Sequence, residues 1–326
     1  MPSTQGVIDR NRTNVHAKRI NLLQRGLRQL SRWAPGVAER LALRMFMTPS
    51  GRFRRAAPTV DGVPCRQVTL ASSGARLVVW EWGTGPAVLL VHGWSGQASQ
   101  WSPFAAALLQ AGYRVIAPDM PAHGYSSGRR ATLPDFVRAV RTVAYHAGPI
   151  QAIVGHSLGA TAATLALAAG VGVQRVVLIA PPTHVPYFLQ RLAGWMGLPE
   201  ARMASLIQRL TRKAGVALDT LDLRQVAPLL ETPALILHSR GDREVPFTHG
   251  EDVALAWPGA QLIALNGNSH TQVLQNPDVI TAAVAFVGEA SARSVRQQPT
   301  QPQRLAQPPQ YMKVKTKATS NSFFLW

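Results

Sequence analysis

The pentapeptide Gly155-His156-Ser157-Leu158-Gly159 is where the 326-residue chain shows the clearest capacity for chemistry. An apolar run, Ile150 to Val154, precedes it, and a small-residue helical stretch, Ala160 to Leu167, follows. A serine on a sharp strand-to-helix turn exposes its hydroxyl at the top of a sheet. Glycines two residues either side let strand and helix approach without a Cβ clash. This is a nucleophile elbow with Ser157 at its tip. A serine hydroxyl attacks poorly until a base takes its proton, and the base needs a third group to hold its tautomer.

Nine histidines compete for the role of base. His16 lies in a polar arm, His156 must diverge from its neighbour at the turn, His92 belongs to a separate loop, and His238 falls inside a strand. His270, in Asn266-Gly267-Asn268-Ser269-His270, follows the last apolar run and precedes a helix. It is the expected base, with His249 as the second choice. The expected acid is Asp242, in Ser239-Arg240-Gly241-Asp242-Arg243-Glu244, directly after the penultimate run. Glu244 is the fallback, with an exposed loop charge as its plainer role. A tetrahedral oxyanion also needs donors, each worth roughly 2.7–4 kcal/mol of barrier. The backbone N–H groups of Leu158 and of Trp94, in the loop His92-Gly93-Trp94-Ser95-Gly96, are the expected pair. His92 is expected to hold that loop by hydrogen bonds rather than to transfer protons. Trp94, Trp101, Phe104, Tyr187 and Phe188 are expected to line an apolar acyl pocket, and ordinary packing is the competing reading of each.

The elements that must position these groups follow from periodicity. Arg66 to Ala71 and Arg76 to Glu81 alternate across Ser72-Ser73-Gly74, the pattern of a β-hairpin. Ala87 to Val91 is a continuous apolar run, as in a central strand buried on both faces. Tyr113 to Ala117, Ile150 to Val154, Arg175 to Ala180, Ala234 to His238 and Gln261 to Leu265 repeat the type. Helical stretches at 102–111, 133–147 and 159–169 lie between them. Strand–helix alternation predicts an α/β fold with a mainly parallel, eight-stranded sheet, helices on both faces, and the antiparallel hairpin at one edge. Residues 183–230 exceed what one crossover needs. They read as a short helical cap, with Tyr187 to Met196 and Ala201 to Lys213 helical. The core is then 57–182 with 231–290.

Charge separates the ends from this body. Residues 1–56 hold 12 Lys/Arg and 2 acids, residues 291–326 hold 6 and none, and the 57–290 span holds 16 against 14. The excess therefore belongs to the arms, and nucleic-acid binding by the body is not expected. In the 1–56 arm, Ile20, Leu23, Leu27 and Leu30 recur at helical spacing, as do Val37, Leu41 and Met45 after Pro35-Gly36. The readings are helices packed on the body, a basic segment on an anionic membrane surface, or a cleaved targeting peptide. The 291–326 tail, rich in Pro and Gln, reads as disordered. One cysteine, Cys65, excludes an intrachain disulfide and fits a reducing compartment. No run of about 18 apolar residues suggests a spanning helix. A cytoplasmic location is expected, with peripheral membrane contact as a variant of it.

The elbow, the loop His92–Gly96 and the order Ser157, Asp242, His270 together resemble the α/β-hydrolase-fold serine hydrolases of the esterase/lipase-like superfamily. The resemblance covers about Arg66 to Gly288. It implies the α/β-hydrolase fold, a carboxylesterase- or lipase-like activity on a small apolar ester, and no metal or other cofactor. Some members take their acid after the strand preceding the cap. Here that position reads Pro181-Pro182-Thr183-His184-Val185 and offers no carboxylate, which favours Asp242. In Asp119-Met120-Pro121-Ala122-His123-Gly124, the resemblance makes Asp119 structural. Relatives that break C–Cl bonds or open epoxides carry an aspartate where Ser157 stands. Thioesterase, acyltransferase, C–C hydrolase and cofactor-free peroxidase chemistries would use the same triad. A silent binding module with membrane-associating arms is the remaining alternative.

Overall fold

The computed structural model describes residues 21–50, 57–60, 62–72, 74–289. The expectations for residues 1–20 and for the tail from 291 onward lie outside them. Eight strands form one sheet: β1 (Cys65–Ser72), β2 (Ala75–Trp82), β3 (Ala87–Val91), β4 (Arg114–Asp119), β5 (Ile150–His156), β6 (Val173–Ile179), β7 (Ala234–Ser239) and β8 (Gln261–Leu265). Their order is β1-β2-β4-β3-β5-β6-β7-β8. β2 runs antiparallel to both β1 and β4, and every other pair is parallel. The hairpin thus lies at one edge, as the alternating pattern predicts.

All five residues of β3 are buried. Leu89 and Val91 join the core on one face, and Val88 and Leu90 join the core on the other. Successive strand side chains point to opposite faces, so a strand covered on both sides has no polar positions. Each such aliphatic side chain contributes roughly 1.5–3 kcal/mol on leaving water.

The helices are α1 (21–33), α2 (Pro35–Phe46), α3 (Ser102–Gln110), α4 (Leu133–Ala147), α5 (Leu158–Ala168), α6 (Val185–Trp195), α7 (Met203–Ala214), α8 (Leu223–Val226), α9 (Phe247–Ala256) and α10 (Pro277–Gly288). The segment between β6 and β7 carries α6, α7, α8 and short 3-10 turns, matching the expected cap. α1 and α2 do not stand apart from it as a separate arm. The Gln24 side-chain amide donates to the carbonyl of Trp195 at 3.1 Å, and the Ser31 hydroxyl donates to that of Met196 at 3.0 Å. Glu39 of α2, 1 % exposed, meets Arg202 at 3.5 Å and Arg209 at 3.3 Å and accepts the Ser205 hydroxyl at 3.1 Å. The roof over the sheet is therefore built from two stretches of chain.

Candidate active site

Ser157 stands between β5 and α5 with φ 51° and ψ −126°. A non-glycine residue at positive φ costs about 1–3 kcal/mol, so its surroundings must enforce it. The Ser157 N–H donates to the Ile179 carbonyl at 2.8 Å, and its own carbonyl accepts the N–H of Ala160 at 2.8 Å. On either side the backbones are too close for a side chain. A Cβ at Gly155 would lie 2.6 Å from the Cα of Ala160, and one at Gly159 would strike the carbonyl oxygens of Val91 and His92. The loop after β3 comes equally near. A Cβ at Gly93 would lie 2.9 Å from that of Ser157.

Two imidazoles fix this loop, each as donor and acceptor. Nδ1 of His92 donates to the Gly93 carbonyl at 2.7 Å, and its Nε2 accepts the Met120 N–H at 2.9 Å. Burial lowers its pKa to about 4, so it holds the loop as a neutral ring. His123 donates from Nδ1 to the Pro121 carbonyl at 2.9 Å and accepts the Ser95 N–H on Nε2 at 2.9 Å. Asp119 accepts the Ala98 N–H at 2.8 Å, the Tyr125 N–H at 3.0 Å and the Trp80 indole N–H at 3.2 Å. That is a structural role. With the loop so held, the N–H groups of Trp94 and Leu158 have no acceptor among the described residues.

Nδ1 of His270 lies 2.7 Å from Oδ2 of Asp242, both residues being buried. This contact keeps the proton on Nδ1 and leaves the lone pair on Nε2. Oδ1 of Asp242 accepts the N–H groups of Glu244 at 2.9 Å and Val245 at 3.0 Å. Burial alone would raise the Asp242 pKa. The approach of His238, the bond from His270 and the Val245 N–H outweigh it and hold the carboxyl well below the usual range. No hydrogen bond joins the Ser157 hydroxyl to His270 among the described residues.

The alternatives to this pair are engaged elsewhere. His249 accepts the Thr183 N–H on Nδ1 at 3.1 Å, and the same atom lies 2.6 Å from the Thr183 hydroxyl. Glu244 is exposed and contributes only its backbone. His156 diverges from Ser157 as the turn requires, but it has a role the sequence reading missed. Its Nε2 donates to the carbonyl of His270 at 2.9 Å, and the two rings lie 4.7 Å apart. Burial, followed by the charge of His270, lowers the His156 pKa to about 3. Its place inside the elbow, on a strand end facing the other loops, was the available signal.

Ser157, Leu158 and Trp94 line a cavity of ≈ 300 Å³ whose other walls are almost wholly apolar. Phe188 and Leu192 come from α6, Leu210 and Ala214 from α7, and Met45, Phe46 and Met47 from the end of α2. Three of the five expected pocket aromatics are elsewhere. Trp101, 1 % exposed, and Phe104 pack edge to face at 5.1 Å in the core beneath the opposite face of the sheet. Tyr187 is not a wall of the cavity. Its ring packs on Phe188 and His249 at 5.0 Å from each. The methionines and the α7 residues were missed because single apolar residues on helical stripes look alike whether they face a core or a cavity.

Comparison with known proteins agrees with the architecture. A family model described as alpha/beta hydrolase fold matches residues 86–202. A non-heme haloperoxidase of Rhodococcus erythropolis is 26% identical over 261 residues, 65% of this chain and 95% of the relative. A pimeloyl-[acyl-carrier protein] methyl ester esterase of Xanthomonas campestris is 28% identical over 244 residues, 62% of this chain and 94% of the relative. The solved esterase of Exiguobacterium antarcticum superposes with a TM-score of 0.55 at 19% identity, covering 69% of this chain and 100% of that one. Sheet order, elbow and family match converge, and the chain has the α/β-hydrolase fold.

Proposed function

We propose that the protein is a serine hydrolase that cleaves a carboxylic ester with an apolar acyl part, through Ser157, His270 and Asp242. The observation that carries this reading is the opening of Ser157, flanked by Trp94 and Leu158, into an apolar cavity. Nε2 of His270 takes the Ser157 proton as Oγ bonds to the acyl carbon. The free N–H groups of Trp94 and Leu158 receive the developing oxyanion. The imidazolium, supported by Asp242, then protonates the departing alkoxide as the ester bond breaks. Water, deprotonated by the same imidazole, attacks the acyl-enzyme, releasing the acid and restoring the serine. The Ser157–His270 bond need not be made in advance, because such bonds often tighten only when substrate is bound. The name of the Xanthomonas relative, an esterase of a methyl ester, supports the same bond class.

The test is Ser157→Ala against chromogenic esters of graded acyl length. Turnover should fall by at least about 10³-fold, with the circular dichroism spectrum unchanged. A folded alanine variant that turns over like the parent would end the assignment.

A further inference from the structure

We propose that the outer face of α1 and α2 docks on the surface of an anionic lipid bilayer. These helices have one side committed to the cap and another committed to nothing among the described residues. On α1, Leu27 and Ser31 are buried. Leu22 and Trp33, 72% and 79% exposed, lie three helical turns apart on the opposite side, with exposed Gln29 between them. Arg25 and Arg32 flank this stripe and are exposed, whereas the stem of Arg28 lies against Gly197 of the cap. On α2, Val37, Arg40 and Arg44 recur at helical spacing and are exposed, while Ala38, Glu39, Ala42 and Leu43 are buried.

The charge pattern selects the occupant. Between residues 21 and 50 the only acid is Glu39, and it is buried beneath the helices against Arg202 and Arg209. The outer face therefore presents four exposed arginines, Arg25, Arg32, Arg40 and Arg44, with no exposed carboxylate on the same segment to neutralise them. Apolar side chains including a tryptophan, set among arginines on a helix lying flat, match the composition of interfacial helices. The arginines would contact lipid phosphates while Leu22 and Trp33 enter the headgroup boundary. No helix among the described residues is long and apolar enough to cross a membrane, so the contact is peripheral. Behind this face, the end of α2 passes Met45, Phe46 and Met47 into the cavity wall.

Co-sedimentation of the full chain with phosphatidylcholine vesicles, with and without phosphatidylglycerol, tests the proposal. Binding is expected only with phosphatidylglycerol present and should weaken as salt is raised. Leu22→Ser with Trp33→Ser, and separately Arg25→Glu with Arg32→Glu and Arg40→Glu, should each reduce partitioning about tenfold or more. Equal urea midpoints for parent and variants separate lost docking from lost folding. As a readout that needs no destabilising change, Gln29→Cys in a Cys65→Ser background carries an environment-sensitive fluorophore. Its emission should shift to the blue with anionic vesicles. Equal binding to neutral vesicles, parent-like binding by both sets of variants, or an unshifted label would each overturn the proposal. In the second case the basic segments outside 21–50 would be the lipid contact.

Discussion

Asp242 accepts three hydrogen bonds, two from backbone N–H groups on Oδ1 and one from the His270 ring on Oδ2. An asparagine there would keep the shape but present the wrong group to His270. Asp242→Asn should lower kcat by about 10⁴-fold, with the urea midpoint little changed. A loss under tenfold would show that His270 does not depend on this carboxylate. Acid should reach the fold through buried histidines. His92 and His156 are lowered to about 4 and about 3 from an ordinary 6.5. Above pH 6.5 both states leave these rings neutral and their contribution is complete. Below it the unfolded chain binds protons that the folded chain refuses. Each ring then removes about 1.4 kcal/mol of stability per pH unit until its folded value is reached. Urea midpoints measured between pH 7 and pH 4 should fall accordingly, and a flat profile would contradict the neutral assignment. The placement of Ser157, Asp242 and His270 could be read from sequence because each sits at a chain-wise landmark after an apolar run. The bond from His156 to the His270 carbonyl could not, since it joins the end of β5 to a loop 114 residues away.

The elbow works as an element because β5, α5 and the end of β3 approach without side chains between them. Gly159→Ala would drive a methyl group into the carbonyls of Val91 and His92. Soluble expression should collapse, and a folded variant would show that this approach can relax. The cap can be altered more gently. Ala214 of α7 lines the cavity, and Ala214→Leu should cut turnover of long acyl esters at least about tenfold relative to short ones, as the added methylenes displace substrate. An unchanged chain-length profile would remove α7 from the pocket. Continuous apolar runs made the parallel strands legible, and the surplus of residues after β6 made the cap legible. Three of the five pocket aromatics were not. Trp101 and Phe104 stand near the start of α3, and only the crossover that carries α3 beneath the sheet decides that they pack there.

Across the whole molecule, the roof of the cavity joins residues near 45 to residues from 184 to 221. Glu39 clasps the two parts through Arg202, Arg209 and Ser205. Removing Glu39 takes away the one acceptor that Arg202, Arg209 and Ser205 share across the two parts. Glu39→Ala should therefore raise amide hydrogen exchange in α2 and α7 together while the central strands keep their protection. Exchange rising in α2 alone would separate the pieces. From sequence the first 56 residues separate from the body by charge, and helices packed on the body are one of three readings, because charge reports the outward side of a helix and not what lies beneath it. The proposed nucleophile, base and acid all belong to the body, whereas Met45, Phe46 and Met47 in the cavity wall come from ahead of residue 57. A chain trimmed at that point would keep Ser157, Asp242 and His270 but lose one side of the cavity beside Ser157, leaving it open to bulk water.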